Sequence, residues 1–268
     1  LGVLPVLAPL LLIGIAGIWS RFSAEFNFQA AASPDGIRVR RGLLEQNAET
    51  IPPRRVHAVQ IRQPLLWRRR GWYRVLISQA TSAAPDAPQS ARSQALLPVG
   101  DKAQAMLALW LVLPDLGVQD PTAFFNAAVD GTRADPQFVG IAPSARSLDP
   151  LVRGRRAVSL TATCVVVRDG WLSRTTSFAP YERVQSVVQT QGPLETLLGL
   201  GTVAAALVPG PVSVVMPHLG LSQADAIRGQ IVARSHQKRE AEPPARWFAR
   251  VDADLEPDLT TRERTGHD

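Results

Sequence analysis

The stretch VRRGLLEQNAETIPPRRVHAVQIRQPLLWRRRGWYRV, residues 39–75, has a second version in VRDGWLSRTTSFAPYERVQSVVQTQGPLETLLGLGTV, residues 167–203. The two stretches align without a gap and share twelve identities, where composition alone would give about three. The identical pairs include Gly42 and Gly170, Pro52 and Pro180, Arg55 and Arg183, Gln63 and Gln191, and Gly71 and Gly199. The chain therefore contains two copies of one module, called here copy one and copy two.

The length of the chain agrees with this division, because 268 residues suit two domains of about a hundred residues each. The sequence predicts five parts: a transmembrane helix at 1–20, a first domain at 21–113, a linker at 114–150, a second domain at 151–240 and a disordered charged tail at 241–268.

The membrane helix is predicted from the first nineteen residues, which contain no charged side chain. About twenty such residues cross the hydrocarbon core of a bilayer. Arginines at 21, 38, 40 and 41 follow, and positive charge on this side predicts that the domains face the cytoplasm. A secretory signal peptide is the alternative, but its basic first region is missing. Because the chain begins with Leu1, we expect a further segment upstream.

Each copy has the pattern of short β-strands. Residues 37–40 alternate apolar and basic side chains before Gly42, and residues 165–168 precede Gly170 in the same way, which predicts a hairpin with glycine at its tip. Further strands are predicted at 56–61 and 73–77 in copy one, and at 184–188 and 203–208 in copy two.

A helix is predicted to end each copy. Asp101 can cap the first one, and its predicted buried face consists of Ala103, Met106, Leu107, Trp110 and Leu111. Ser222 and Asp225 form a capping-box pattern for the second, whose predicted buried face consists of Ala224, Ile227 and Ile231. The expected fold is therefore mainly β, with two tandem small barrels that are each capped by a C-terminal α-helix.

The motifs of both copies resemble a known family. In copy one they are the runs 42–44, 51–56, 63–66 and 70–71, and in copy two they are 170–172, 179–184, Gln191 and 198–200. These runs are similar to the bacterial pleckstrin-homology-like (PH-like) domain of YdbS/YdbT-type membrane proteins. The resemblance implies a barrel of about seven strands closed by a helix, often in tandem after transmembrane helices, and it implies no reaction.

The two copies differ in charge, and this difference predicts the functional site. Residues 36–75 contain ten arginines and only two acidic residues, whereas residues 164–203 contain three of each. Cations and tryptophans next to a membrane anchor favour contact with anionic lipid head groups. The predicted contact residues are Arg54, Arg55, Trp67, Arg68, Arg69, Arg70, Trp72 and Arg74. The alternative is a solvated loop whose tryptophans pack inward.

The sequence favours a binding protein over an enzyme. It has no nucleophile elbow, phosphate loop or metal-binding run, and Cys164 is its one cysteine, so we expect no catalysis, cofactor, metal or disulfide. A nucleic-acid-binding protein is the least favoured alternative, because no predicted helix carries the basic residues.

The expected function is that of a membrane-anchored, non-catalytic binding or scaffolding protein of the bacterial envelope, located at the cell membrane. Its expected partners are the membrane, with anionic lipid head groups, and an unidentified protein such as another membrane protein of the same family. The remaining alternative is a protein–protein interaction module without lipid contact, in which a peptide adds to an exposed sheet edge.

Overall fold

The computed structural model describes residues 29–33, 36–41, 47–51, 55–79, 94–132 and 135–240. The predicted membrane helix, the predicted tail and Arg54 lie outside these residues. Within them, no helix combines the length and the apolar character that are needed to cross a bilayer.

The two copies contain the same series of elements. In copy one these are β1 (Gln29–Ser33), β2 (Gly36–Arg41), β3 (Asn47–Ile51), β4 (Val56–Pro64), α1 (Leu65–Arg68), β5 (Tyr73–Gln79), β6 (Gln94–Gly100) and α2 (Lys102–Val112). The connecting segment contains α3 (Pro121–Asp130), β7 (Val139–Gly140) and a 3-10 helix (Pro143–Ser147). Copy two contains β8 (Ala157–Leu160), β9 (Cys164–Asp169), β10 (Ser173–Pro180), β11 (Ser186–Thr190), α4 (Pro193–Leu197), β12 (Leu200–Ala206), β13 (Val214–Gly220) and α5 (Leu221–Glu240).

The equivalence of the copies extends to backbone conformation. Gly71 and Gly199, which align in the repeat, follow α1 and α4 and have φ angles of 65° and 64°. Residues other than glycine rarely adopt this left-handed backbone conformation. The identity of the two glycines is therefore explained by the turn that both copies need after their short helix.

The strands form three sheets, and the largest one crosses from copy one to copy two. The strand orders are β1-β2-β3, β6-β5-β4-β10-β9-β8-β7 and β11-β12-β13. The crossing point is the antiparallel pair β4 and β10, in which Pro64 lies opposite Ser173 and Val59 opposite Phe178. Within this pair the Gln60 side chain donates a hydrogen bond of 3.1 Å to the Ser177 hydroxyl.

This arrangement corrects the expectation of two separate barrels. The fold is mainly β, but no sheet closes into a barrel among the described strands, and β4 pairs with the other copy instead. The local pattern of β4 does not reveal this, because an apolar strand can be buried by any neighbour. Its partner β10 begins more than a hundred residues later.

The seven-stranded sheet has a core on each face. On one face Val59, Ile61 and Phe178 pack with residues of α2 and α3. On the other face Val165 and Ala179 pack with residues of β12, β13 and α5. Successive residues of a strand point to opposite faces, so the sheet is buried on both sides and lies between two layers.

The first predicted helix is present, but its predicted buried face is only partly right, since Met106 and Leu111 pack half-buried against the first core whereas Ala103 and Leu107 are exposed. Asp101 and Gln104 form a reciprocal capping box at the start of α2. The buried residues are Ala105, Ala108, Leu109 and Val112, whereas Leu107 is 57% exposed. This helix is apolar around most of its circumference, so periodicity does not select the face that packs.

The second predicted helix begins two residues earlier than its capping pattern suggested. Because α5 begins at Leu221, Ser222 lies in the first turn and not at the cap position. The predicted buried residues Ala224, Ile227 and Ile231 are indeed buried.

The segment that connects the copies is packed into the first core. Phe124, Phe125 and Val129 of α3 are buried with residues of β4 and β5. The seven-stranded sheet joins strands from both predicted domains. The domain bounds given by the sequence therefore remain predictions.

Candidate functional site

The cationic stretch of copy one forms a compact turn at the end of β4. Pro64 closes the strand, α1 follows at once, and the amide of Trp72 donates a 3.1 Å hydrogen bond to the Trp67 carbonyl. The left-handed Gly71 lets the chain reverse into β5. The predicted contact residues from Trp67 to Arg74 are thereby held in one turn, while Arg55 is exposed at the other end of β4.

The two tryptophans of this turn pack edge to face. Their ring centroids are 6.2 Å apart and the rings are inclined by 87°. The guanidinium of Arg70 lies 5.9 Å from the Trp72 ring and that of Arg74 lies 5.8 Å from the Trp67 ring. Trp67 is half-buried, whereas Trp72 is 42% exposed, so the pair presents one indole to the surface.

The predicted arginines divide into two groups. The Nη2 atom of Arg68 donates to the carbonyls of Trp171 and, at 3.4 Å, Leu172 in copy two. The Nε atom of Arg74 donates at 3.0 Å to the carbonyl of Pro98. These two side chains serve the fold, whereas those of Arg69 and Arg70 are exposed.

Arg68 connects the turn of copy one to a second turn that sequence reasoning missed. Gly170 has a φ angle of 82° and begins the connection from β9 to β10, which carries Trp171 and Leu172. These two side chains are 46% and 62% exposed. The signal in the sequence is a tryptophan and a leucine at a predicted hairpin tip, but copy two is neutral, and a criterion based on positive charge does not select this turn.

The two turns together form one surface. The pairing of Pro64 with Ser173 and the hydrogen bonds of Arg68 place them side by side. We call it the tryptophan–arginine surface, and it consists of Leu65, Leu66, Arg69, Arg70, Trp72, Trp171 and Leu172. Each of its five apolar residues is more than two-fifths exposed. Large apolar residues that are exposed together on a surface mark interaction sites.

The charge of the two turns is mostly positive, and Asp169, which precedes the second turn, is paired with Arg156 at 2.9 Å. The ranges 62–74 and 170–174 contain six arginines and no acidic residue. Burial, together with the charge of Arg174, lowers the pKa of Arg68. Behind the surface, burial and the neighbouring Arg174 and Arg168 lower the pKa of Arg155 to about 9. The arginines are therefore close enough to repel one another, and an anion would relieve this repulsion.

The chemistry that this surface offers is binding. Guanidinium groups bind phosphates and carboxylates, and exposed indole rings favour the boundary between water and lipid. Among the residues that the structure describes, no three His, Cys, Asp or Glu side chains come together as ligands for a metal ion.

Comparison with known protein families agrees with a repeated, β-rich binding protein. The family model described as bacterial PH domain matches residues 1–108 and again residues 139–235. These two matches cover most of the chain, and the chain belongs to this family. Domains of the PH-like type are generally non-catalytic binding modules. A search of curated proteins found no match.

Proposed function

We propose that this protein is a non-catalytic binding protein of the bacterial cell membrane whose tryptophan–arginine surface docks on anionic lipid head groups. In this proposal residues 1–19 anchor the chain and the described domains lie on the cytoplasmic side. Trp72, Trp171, Leu65, Leu66 and Leu172 enter the interfacial region, and Arg69 and Arg70 contact head-group phosphates.

The observation that carries the proposal is that two turns with exposed apolar side chains lie side by side and that one of them carries the exposed Arg69 and Arg70. Burying apolar area in the interface contributes about 25 cal/mol per Å². Each arginine close to an anionic membrane adds about 1 kcal/mol. The apolar residues come from both copies, so the surface exists only when β4 and β10 are paired.

The proposal is tested with the full chain reconstituted in vesicles of phosphatidylcholine alone or with phosphatidylglycerol. An environment-sensitive fluorophore is attached to Cys introduced at Leu172, after reconstitution, so that only outward-facing domains are labelled. Cys164 is buried and does not compete for the label. The expected result is a blue shift and stronger emission in the anionic vesicles, because the label enters a less polar environment.

Two variants make the result specific. The same label at Leu107, an exposed residue of α2, is the control and is expected to give equal emission in both vesicle types. Replacing Arg69 and Arg70 by Glu is expected to abolish the shift at position 172. Equal emission at position 172 in both vesicle types would overturn the lipid proposal.

A protein partner on the same surface is the alternative function. The exposed indole rings and arginines favour it equally, because Trp and Arg dominate the energetics of protein interfaces. A blue shift at position 172 that requires native cell membranes and is absent from protein-free anionic vesicles would support this alternative.

A further inference from the structure

The two copies meet through β4 and β10, and each of these strands has an equivalent in the other copy. The strand equivalent to β4 is β11, and the strand equivalent to β10 is β3. In the described sheets β11 lies at the edge of β11-β12-β13, and β3 lies at the edge of β1-β2-β3. The chain therefore has two edge strands, β3 and β11, whose repeat equivalents, β10 and β4, pair with each other within the same chain.

The residues of β11 are more exposed than the equivalent residues of β4. Gln60 of β4 is 8% exposed, and it lies between β5 and β10 in a sheet that is covered on both faces. Val188 of β11, the repeat equivalent of Gln60, is 48% exposed. None of the five residues of β11 is buried, whereas six of the nine residues of β4 are buried.

The edge of β11 is also unprotected in sequence. Natural sheets guard their edges with proline, with charged residues or with very short strands. Of the other edge strands, β6 contains Pro98, β13 contains Pro217, β7 has two residues and β3 contains Glu49, whereas β1 resembles β11 in having neither proline nor charge. The five residues of β11, Ser-Val-Val-Gln-Thr, include neither proline nor charge.

We propose that β11 of one molecule pairs antiparallel with β3 of a second copy of this chain, which continues the head-to-tail arrangement of the modules. The register follows from the internal pair, in which Gln60 lies opposite Ser177 and Ile61 opposite Thr176. Transferred to the equivalent strands, Val188 lies opposite Glu49 and Gln189 opposite Ala48. Such a contact joins different patches of the two molecules and produces rings or open chains.

The occupant is a second copy because the chain itself supplies the complementary strand. The internal pair shows how the two modules meet at β4 and β10, and β11 and β3 are the repeat equivalents of these strands. A partner with an unrelated edge strand would match the hydrogen bonds of the backbone but not this register.

The test is disulfide trapping between two differently tagged full-length chains in detergent micelles. One carries V188C and the other E49C, and Cys164 is buried in both. Opposite residues of paired strands lie within the distance that a disulfide spans. Mild oxidation is expected to yield a mixed dimer carrying both tags. The control pairs V188C with A31C, since β1 is the opposite edge of the first sheet.

A mixed dimer that forms with E49C and not with A31C supports the proposal. Equal yields from the two mixtures, or no mixed dimer, overturn it. A chain carrying both V188C and E49C separates two further outcomes. A ladder of multimers supports pairing between molecules, whereas a monomer with an internal disulfide shows that the ends meet within one chain and overturns the proposal.

Charge supplies a second measurement that does not depend on oxidation. V188E places like charges opposite each other and is expected to reduce the multimer fraction, measured by light scattering, by about fivefold. Combining V188E with E49K in the same chain places opposite charges there and is expected to restore multimers. If V188E removes the multimers and the addition of E49K does not restore them, the proposed register is wrong.

Discussion

At the residue scale, Arg168 is a buried cation whose contacts are structural. Its side chain has no exposed surface and lies 3.8 Å from the centroid of the Phe138 ring. Its Nη1 atom donates to the Ala127 carbonyl at 2.7 Å and its Nη2 atom to the Thr132 carbonyl at 3.0 Å. Asp135 lies 3.6 Å from Nη1 and balances the charge. Arg168 therefore joins β9 to the end of α3.

Replacing Arg168 by Met is expected to reduce the free energy of unfolding by about 3 kcal/mol, because two carbonyls and a nearby carboxylate lose their buried partner. Chemical denaturation measures the change. Arg153 is exposed, and R153M is the matched control with an expected change below about 0.5 kcal/mol. Equal effects of the two substitutions would contradict the buried role of Arg168.

Glu195 gives the protein a predicted sensitivity to acid. Burial alone would raise its pKa, but hydrogen bonds from the Thr202 hydroxyl and the Gly192 amide, together with His218, outweigh burial and lower it. The folded state therefore binds this proton more weakly than the unfolded state does. The carboxylate stabilises the fold above its unfolded pKa, and this contribution is lost as the pH falls through the lowered folded pKa.

The E195Q variant is expected to show a shallower loss of stability between about pH 5 and pH 3 than the unmodified chain does. The midpoint of thermal unfolding, recorded over this range, checks the difference. E182Q changes an exposed carboxylate of copy two and is expected to follow the unmodified curve. Parallel curves for E195Q and the unmodified chain would show that Glu195 does not cause the acid sensitivity.

At the element scale, the two turns of the tryptophan–arginine surface depend on different glycines. A Cβ atom at Gly170 would lie 1.9 Å from the Ser173 carbonyl oxygen, whereas a Cβ atom at Gly71 would meet nothing within 4 Å. Both residues are left-handed, so alanine at either position costs about 1 kcal/mol in backbone strain.

The G170A variant is therefore expected to be clearly less stable than G71A, because the hairpin must move to relieve the clash. Chemical denaturation of the two variants gives this comparison. G199A, at the repeat equivalent of Gly71 with the same open surroundings, is the matched control and is expected to resemble G71A. A loss for G170A no larger than that for G71A would contradict the steric argument.

Local features of these elements could be predicted from the sequence. The hairpin at Gly170 and the cap at Asp101 depend on neighbouring residues, and both are present. The buried face of α2 could not be predicted, because nearly every side of the helix is apolar. Trp171 and Leu172 were missed because their neighbour Arg68 lies about a hundred residues away in the chain.

At the scale of the whole molecule, the continuous sheet predicts that the copies unfold together. Ile61 is 2% exposed and belongs to the strand that meets copy two. The I61A variant is expected to lose about 3 kcal/mol of stability. Hydrogen exchange is expected to accelerate equally in peptides covering 56–79 and 164–180, because one cooperative unit contains both.

The L107A variant, which changes an exposed residue of α2, is the control and is expected to leave exchange in both peptides unchanged. Faster exchange of I61A in 56–79 alone would show that each copy is an independent unit.

The pairing of β4 with β10 also has a consequence for synthesis. The hydrogen-bonded residues Gln60 and Ser177 are separated by 117 positions. A ribosome adds about 5 to 20 residues per second, so β4 waits roughly 6 to 23 seconds for its partner strand to be made. During this interval the nascent chain carries a strand with one open edge and the apolar residues Val56, Val59 and Ile61. Translation speed and chaperone access therefore bear on the yield of this protein, and a pause between the codons of β4 and β10 would extend its most vulnerable period.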